Sequence, residues 1–386
     1  VTDATVLDTT TYAIAVLVDD VAIPQDLIVA DVTIRSGRSR QDDGLEPATA
    51  VIELLDAQPG QVTVGIAQVL GITVDPGTGP TPRFTGRITE ITRTPIQGGS
   101  GSSWTIVAAG NISRLARFLL TLPIPQESAP ARAQRVIEAV GFTVVIQGGA
   151  GLTLAPYGVA GDPPASADQI MGQLITDTGA TVADLGDGAI LCQFGDGRLS
   201  EDRWTPDPAI TNAELAFAQS DDVVNDCRVA WAGGLVTATS PGSIAAYDHR
   251  GISLDTQLAD AGSATTRANS IIGRLAYPAW AIDALSTFDR DFFAHGIGAV
   301  VTIDQLPAGA PVESPWSGVL EGWSEHYQPS TDGSDRLLGV FVIALGDTQH
   351  SAETVHWGGV TPTLTWAGVD PATAWYEAIS NAALTP

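Results

Sequence analysis

The chain has 386 residues, 44% of them hydrophobic, with 44 Asp or Glu against 18 basic residues and a net charge of −26. That is apolar material for about two to four domains with real cores, and it excludes a disordered polymer. Every basic residue is Arg, and so acidic a chain disfavours tight DNA binding by phosphate neutralisation while remaining compatible with an acidic wall that DNA slides past.

From Thr11 to Ala109 the pattern is β throughout. TYAIAVLV, DVTIRS, ATAVIELL, QVTVGI, RFTGRITEI and SSWTIVAAG are strand-length runs, separated by turn formers such as Asp19-Asp20, Pro59-Gly60 and Gly98-Gly99. This cadence predicts a barrel or sandwich. The texture changes after Gly110, where NISRLARFLL reads as a short helix. Ser128 is placed to cap a helix with Ala133, Val136, Ile137 and Val140 on one face, stopped by Gly141. A second helix starts near Ser166, groups Ile170, Met171, Leu174 and Ile175, and ends at Gly179. ATVADLGDGAILCQFGDGR then predicts a hairpin around Gly186-Asp187-Gly188.

The β texture returns at Val223 in VVNDCRVAWAG and GLVTATS. One helix interrupts it, with Ala264, Ala268, Ile271, Ile272 and Leu275 on a face and Pro278 just beyond. Strands follow again in GAVVTIDQL, WSGVLEGW and LLGVFVIALG.

Two repeats stand out. The octet FTGRITEI (84–91) returns as WSGVLEGW (316–323). A Gly-led strand precedes each copy, GQVTV (60–64) or GAVVTI (298–303). A polar turn and an apolar strand ending in glycine follow each, WTIVAAG at Gly110 or GVFVIALG at Gly346. Three elements in one order predict a duplicated β-domain, with Phe84 equivalent to Trp316 and Gly86 to Gly318. At the C-terminus WGGVTPTLT (357–365) is followed by WAGVDPATA (366–374), and Trp375 starts the pattern again. Proline breaks each copy, so the repeat predicts an extended arm whose indoles Trp357, Trp366 and Trp375 are interface anchors.

No motif for catalysis, cofactor or metal emerges. The five histidines are scattered, without HExxH or Cys/His pairing. There is no GxSxG elbow, and a chain without Lys cannot carry a GxxxxGK[ST] loop. Asp184, Asp187 and Asp196 lack EF-hand spacing and read as hairpin residues. Cys192 and Cys227 sit in apolar runs and read as buried free thiols. Arg35, Arg38 and Arg40 form the one local basic cluster, followed by Asp42 and Asp43, and read as a salt-bridged subunit contact or a solvated loop. No apolar stretch reaches the ~20 residues of a membrane span, and the N-terminus lacks the basic start of a signal peptide.

Three stretches carry a family resemblance. They are DVTIRSGRSRQDDGLEPATAVIELLDA with FTGRITEI and WTIVAAGNISRLAR; ADQIMGQLITDTGATVADLGDGAILCQFGDGR; and DVVNDCRVAWAGG through SIAAYDHRGISLDTQL and ATTRANSIIGRLAYPAW. In this order, over roughly residues 10–350, the chain resembles the tail hub (baseplate hub) proteins of tailed bacteriophages, often labelled minor tail proteins in phages of actinobacteria. The resemblance implies a mainly β fold with an α+β insert. Two tail-tube-like β-barrel or sandwich domains would occupy 1–122 and 216–350, a small α+β domain 123–215, and the Trp-repeat arm 351–386. It further implies a non-enzymatic structural protein of the virion, made in the host cytoplasm and placed at the tail tip. As a homotrimer, six β-domains would form a pseudo-hexameric ring around the DNA exit channel. Its implied partners are a distal tail or tube protein, the tape measure protein, tip or fibre proteins, and DNA in transit. Two alternatives are a host-surface adhesin stacking sugars on the three C-terminal tryptophans, and a cell-wall-degrading enzyme.

Overall fold

Period-two alternation builds the first β-region. Ala50, Ile52, Leu54 and Asp56 are buried while their neighbours are less so, and Leu70, Ile72 and Val74 repeat the pattern. Successive side chains of a strand leave opposite faces, so one face makes the core. The computed structural model describes residues 11–347, apart from 25–26, 39–44, 57–59, 61–62, 97–100, 150, 196–201, 208–215, 220–221, 279, 288, 307–308, 312–313 and 330–336.

The first region holds β1 (Thr11–Val18), the two-residue β2 (Val21–Ala22), β3 (Ile28–Gly37), β4 (Thr49–Asp56), β5 (Val69–Asp75), β6 (Thr81–Pro95) and β7 (Ser102–Gly110). A 3-10 helix, Asn111–Arg117, leads to β8 (Leu119–Leu120), β9 (Glu127–Ser128), α1 (Ala129–Ala139), β10 (Val144–Gln147) and β11 (Thr153–Leu154). Then come β12 (Ala165–Ser166), α2 (Ala167–Thr178), β13 (Thr181–Asp184) and β14 (Ile190–Gln193). Next are β15 (Arg203–Trp204), β16 (Ala216–Gln219), β17 (Asp226–Trp231), β18 (Gly234–Thr239), α3 (Pro241–Tyr247), β19 (Gly251–Asp255) and α4 (Ala261–Leu275). The described chain ends with β20 (Trp280–Thr287), a 3-10 helix at Arg290–Ala294, β21 (Val300–Ile303), β22 (Trp316–Pro329) and β23 (Leu337–Asp347).

Strand order in the first region is β3-β4-β7-β6-β5-β1, and in the second β16-β20-β23-β22-β21-β15. The two sheets join twice. Along β22, Gly322 pairs with Gly37 of β3 and so on to Tyr327 with Val32, while Leu337 and Leu338 of β23 pair with Tyr12 and Thr11 of β1. β22 and β23 pair with each other throughout this stretch. The far half of their hairpin therefore sits between β3 and β1 and closes a barrel of β3, β4, β7, β6, β5, β1, β23 and β22. Closure leaves the first region no open sheet edge on this circuit. Its core gathers Ile34, Ile52, Leu70, Ile72 and Phe84 from the first region with Tyr327 from the second.

The helices start and stop where their caps dictate. Ser128 Oγ accepts from Ala131 N–H at 3.3 Å, Gln169 Oε1 accepts from Ser166 N–H at 3.2 Å, and Gly179 ends α2 at φ +71°. Helices α1 and α2 share one core with the β10-β14-β13 sheet, but that core also takes Cys227 and Val229 of β17 and Ala264, Ala268 and Ile271 of α4. Residues beyond 215 thus pack with the α+β unit. Both cysteines are buried free thiols, and burial pushes the Cys192 thiol up to about 12.

The expected strand QVTVGI is corrected by the structure. Residues 63–65 are irregular, and Gly65 N–H donates to Gln68 Oε1 at 2.5 Å, a turn that reverses the chain into β5. The strand beside the first octet is therefore VLGITVD, not GQVTV.

The β3–β22 crossing depends on glycine. A Cβ on Gly322 would stand 2.6 Å from Arg38 O and 2.7 Å from Ser36 O, both backbone atoms. Gly322→Ala should therefore lose roughly 1–3 kcal/mol, as overpacked sites do, read as a lower denaturant midpoint. An unchanged midpoint would show that the crossing has room to spare.

Candidate functional site

The junction between the two β-regions is the most heavily built polar site of the described residues. Arg83 enters from β6 and is buried. Its Nε donates to Glu325 Oε1 at 2.8 Å and its Nη2 to the same oxygen at 2.5 Å. Glu325 lies on β22 opposite Ile34 of β3. Trp323 Nε1 donates to Oε1 at 2.6 Å, and the Tyr327 hydroxyl donates to Oε2. Trp323, Glu325 and Tyr327 fall on one face because they alternate along the strand. The guanidinium carbon of Arg83 stands 4.9 Å from the ring centres of Phe292 and Phe293 and 5.1 Å from Trp323. Both phenylalanines belong to the 3-10 helix at Arg290–Ala294, whose Asp289 cap accepts from Asp291 N–H at 3.0 Å. Tyr12 completes the lining, 5.3 Å from Phe293 and 6.0 Å from Tyr327 between ring centres.

Electrostatics follow from this enclosure. Burial works against the Arg83 charge, but the adjacent Glu325 outweighs it and holds the guanidinium above its ordinary pKa. Burial, then the Glu325 charge, pushes the Tyr327 phenol well up, so it stays a donor. A carboxylate with four donor contacts is a satisfied buried ion; the same charge alone would be expensive.

A second ion pair lies further along the same joint. Arg38 Nε donates to Glu321 Oε2 at 2.7 Å with both side chains buried, and Arg38 N–H donates to Glu321 O at 3.1 Å. Glu321 is the extra residue of a β-bulge, since the β22–β23 register shifts between Leu320 and Gly322. Arg38, expected at a subunit contact or in a solvated loop, is thus committed inside its own chain.

The α+β unit is clamped to the first barrel through one hairpin. Asp184, at the end of β13, accepts from Ala48 N–H at 2.9 Å and Ile112 N–H at 3.0 Å. Thr85 Oγ1 donates to Gly186 O at 2.8 Å and Asn111 Nδ2 to Gly188 O at 2.7 Å. Burial pushes the Asp184 carboxyl up to about 6 against these backbone donors, and burial does the same to Asp177 inside the α+β unit.

The octet residues occupy matching registers. Phe84 pairs with Ile72 and Gly86 with Leu70 and Gly110; Trp316 pairs with Ile303 and Gly318 with Val301 and Asp347. Phe84 and Trp316 are both buried. Each octet then bulges at its sixth residue, Thr89 or Glu321. Arg35 is half-exposed and pairs with Glu46 at 3.2 Å. Arg40 and the three tryptophans Trp357, Trp366 and Trp375 lie outside the described residues. Sequence reasoning missed Arg83, Trp323, Glu325 and Tyr327 as a group. The available signal was the alternation of Trp, Glu and Tyr in WSEHY, an acid on an otherwise aromatic strand face.

No protein-family model matches the sequence, and no curated protein matches it. Solved structures do. The 43 kDa tail protein of prophage MuSo2 from Shewanella oneidensis matches at TM-score 0.61 and 10% identity, over 88% of this chain and 99% of that one. A tail protein from Neisseria meningitidis MC58 matches at TM-score 0.62 and 12% identity, over 89% and 98%. The Escherichia coli c3393 protein matches at TM-score 0.50 and 11% identity, over 86% and 76%. That protein is described as a type VI secretion component similar to the T4 phage tail proteins gp27 and gp5. The chain has the mainly β fold of phage tail proteins and of their secretion-system counterparts.

Two outcomes test this site. Removing Arg83 alone leaves Glu325 buried without its cation, so Arg83→Met should cost about 3–5 kcal/mol of unfolding free energy. Adding Glu325→Gln, which removes the charge, keeps one acceptor for Trp323 and offers an amide donor to the Tyr327 hydroxyl, should recover part of that loss. A single-variant loss below about 1 kcal/mol, within the range of a solvated surface pair, would mean the pair is not a stability element.

The pH dependence has a fixed sign. Asp177 and Asp184 are raised from 3.8 to about 6 in the fold, so the folded chain binds their protons more tightly than the unfolded chain does. Their contribution is full below about 3.8 and is lost as pH rises through about 6. Thermal melts should accordingly show a higher Tm at pH 5 than at pH 7. The reverse order would assign these carboxyls the wrong environment.

Proposed function

We propose that this chain is a structural protein of a phage virion, a homotrimeric hub that joins the tail tube to the tail tip and surrounds the DNA exit channel. The observation that carries the reading is the likeness to phage tail proteins over nearly the whole of both chains. The matched registers of β5-β6-β7 and β21-β22-β23 support it, because a duplicated unit lets three chains present six similar faces. In this reading residues 1–122 and 216–350 hold the two tube-like units, and 123–215 is the α+β unit between them, which draws β17 and α4 from beyond 215 into its core. The arm at 351–386 anchors its tryptophans on a neighbouring tail protein. Distal tail or tube protein, tape measure protein and tip or fibre proteins are its partners, and the tail tip is its place. The net charge of −26 supports a channel that repels phosphates, so that DNA passes without binding. No observation among the described residues favours the adhesin or wall-degrading alternatives.

Light scattering on the purified full chain tests the assembly: the expected mass is three times 39.9 kDa. A chain that stays monomeric at tens of micromolar would overturn the trimer. In the same preparation, DNA binding at physiological salt would overturn the repelling channel.

A further inference from the structure

The two β-regions are alike in strand order and in where their middle strand changes partner. In β6 the first half of the octet, through Arg87, pairs with β5; in β22 the first half, through Val319, pairs with β21. Both strands then bulge and run on as one arm of a long hairpin. Beyond the bulge their environments differ. The far half of the β22–β23 hairpin fills the gap between β3 and β1. The far half of the β6–β7 hairpin fills nothing among the described residues. No strand among the described residues pairs with the outer edge of residues 90–95, and most of these residues are exposed. The second region meanwhile ends at β16 and β15, whose outer edges carry no strand among the described residues. Among the described residues, one chain thus presents a hairpin without a barrel to close and a sheet without a hairpin to close it.

An independent feature lies beside the same hairpin, between the end of β4 and β7. Asp56 is 1% exposed, yet neither carboxylate oxygen has a hydrogen-bond partner among the described residues, and the same holds for the buried Trp104 Nε1. Arg93 stacks on Trp104 at 4.9 Å and stands 3.9 Å from Asp56. Trp104 pairs with both Arg93 and Leu54 and Asp56 pairs with Ser102, so this under-satisfied group borders the arms in question. Buried polar atoms in folded proteins nearly always have partners, so this corner of the sheet is under-satisfied among the described residues.

We propose that the far half of the β6–β7 hairpin closes the second β-region of another copy of this chain, with residues 90–95 adding antiparallel to β16. The internal β22–β3 joint is the template. Strand addition at an exposed edge supplies main-chain hydrogen bonds without a dedicated pocket. A joint that uses different patches on the two copies is head-to-tail and closes into a ring when its rotation allows. The number of copies rests on the trimeric reading above; the strand pairing does not.

The template fixes a register. Thr94 stands in the first hairpin where His326 stands in the second, and His326 pairs with Thr33. Ile52 and Leu285 hold matching places, since their partners Ile106 and Ile343 lie opposite the octet ends Ile91 and Trp323. One residue earlier, Val51 pairs with Thr33 and Ala284 with Ala216. Ala216 therefore occupies the place of Thr33, and Thr94 of one copy pairs with Ala216 of the next.

Cysteine cross-linking between separately made full-length variants tests this. Thr94→Cys and Ala216→Cys proteins are mixed, oxidised mildly and run without reductant, beside each variant alone and the native chain, whose two cysteines are buried. A covalent dimer in the mixture that neither variant gives alone is the expected result. Light scattering on the unoxidised variants first checks that each assembles like the native chain. An assembled native protein with no cross-link in the mixture would overturn this joint and leave the trimer standing. Cross-linking in an assembly of another mass would support the joint and remove the trimer. A monomeric native chain without cross-linking would remove both.

Discussion

The Glu325 carboxylate is where the two halves of this chain depend on one another. Its donors come from β6 of one region and β22 of the other, and the rings around Arg83 belong to the second region. Neither half can bury its part alone. Arg83 without Glu325 would be an uncompensated cation, and Glu325 without Arg83 an uncompensated anion, each a penalty of several kcal/mol. A typical domain has only about 5–15 kcal/mol in total. The closed barrel is thus a joint product: β22 and β23 must be in place before β3 and β1 lose their open edges, and that placement brings Glu325 to Arg83.

What was legible in the sequence was local. Capping residues and apolar periodicity gave the helices at Ser128 and Ser166, because a helix declares its ends within four residues. The paired octets were legible because a repeat needs no knowledge of what it touches. The partners at the joint were not legible, since Arg38 and Glu321 are 283 positions apart and Arg83 and Glu325 are 242 apart. Strand pairing at that range is chosen by the whole barrel, and nothing in SGRSR marks Arg38 as an arginine that will be buried. QVTVGI failed for a different reason. Its β-branched pattern is strand-like, but the Gln68 side chain closes a turn on Gly65 and moves the strand one segment onward. The α+β core likewise drew on α4 and β17 from beyond the expected boundary, because those elements bury their apolar faces against α2 and its sheet.

The matched bulges explain how one strand design serves two settings. A bulge inserts a residue, sharpens the local twist and parts a strand from its neighbour. In both octets it comes directly after the stretch paired with the preceding strand, so the remaining half is turned away from that strand, to pair with β3 in β22 and with no strand among the described residues in β6. The bulged residue itself differs. Glu321 is buried and receives Arg38, whereas Thr89 is exposed and donates to Val107 O at 3.3 Å.

That difference has a physical reason if one joint lies within the chain and the other between chains. The arm of β22 carries Trp323, Glu325 and Tyr327, and its acceptor strand β3 is always present because it belongs to the same polypeptide. Buried ions and aromatic rings are tolerable there, since the strand that covers them is part of the same fold. The arm of β6 carries Glu90, Thr92, Arg93 and Thr94, exposed in the single chain. A strand edge that must wait in solution for its partner needs charge and hydroxyls to resist indiscriminate pairing, as exposed edges of soluble proteins do. Residues 90–95 have the composition of an edge that waits, and residues 322–327 the composition of one that never has to.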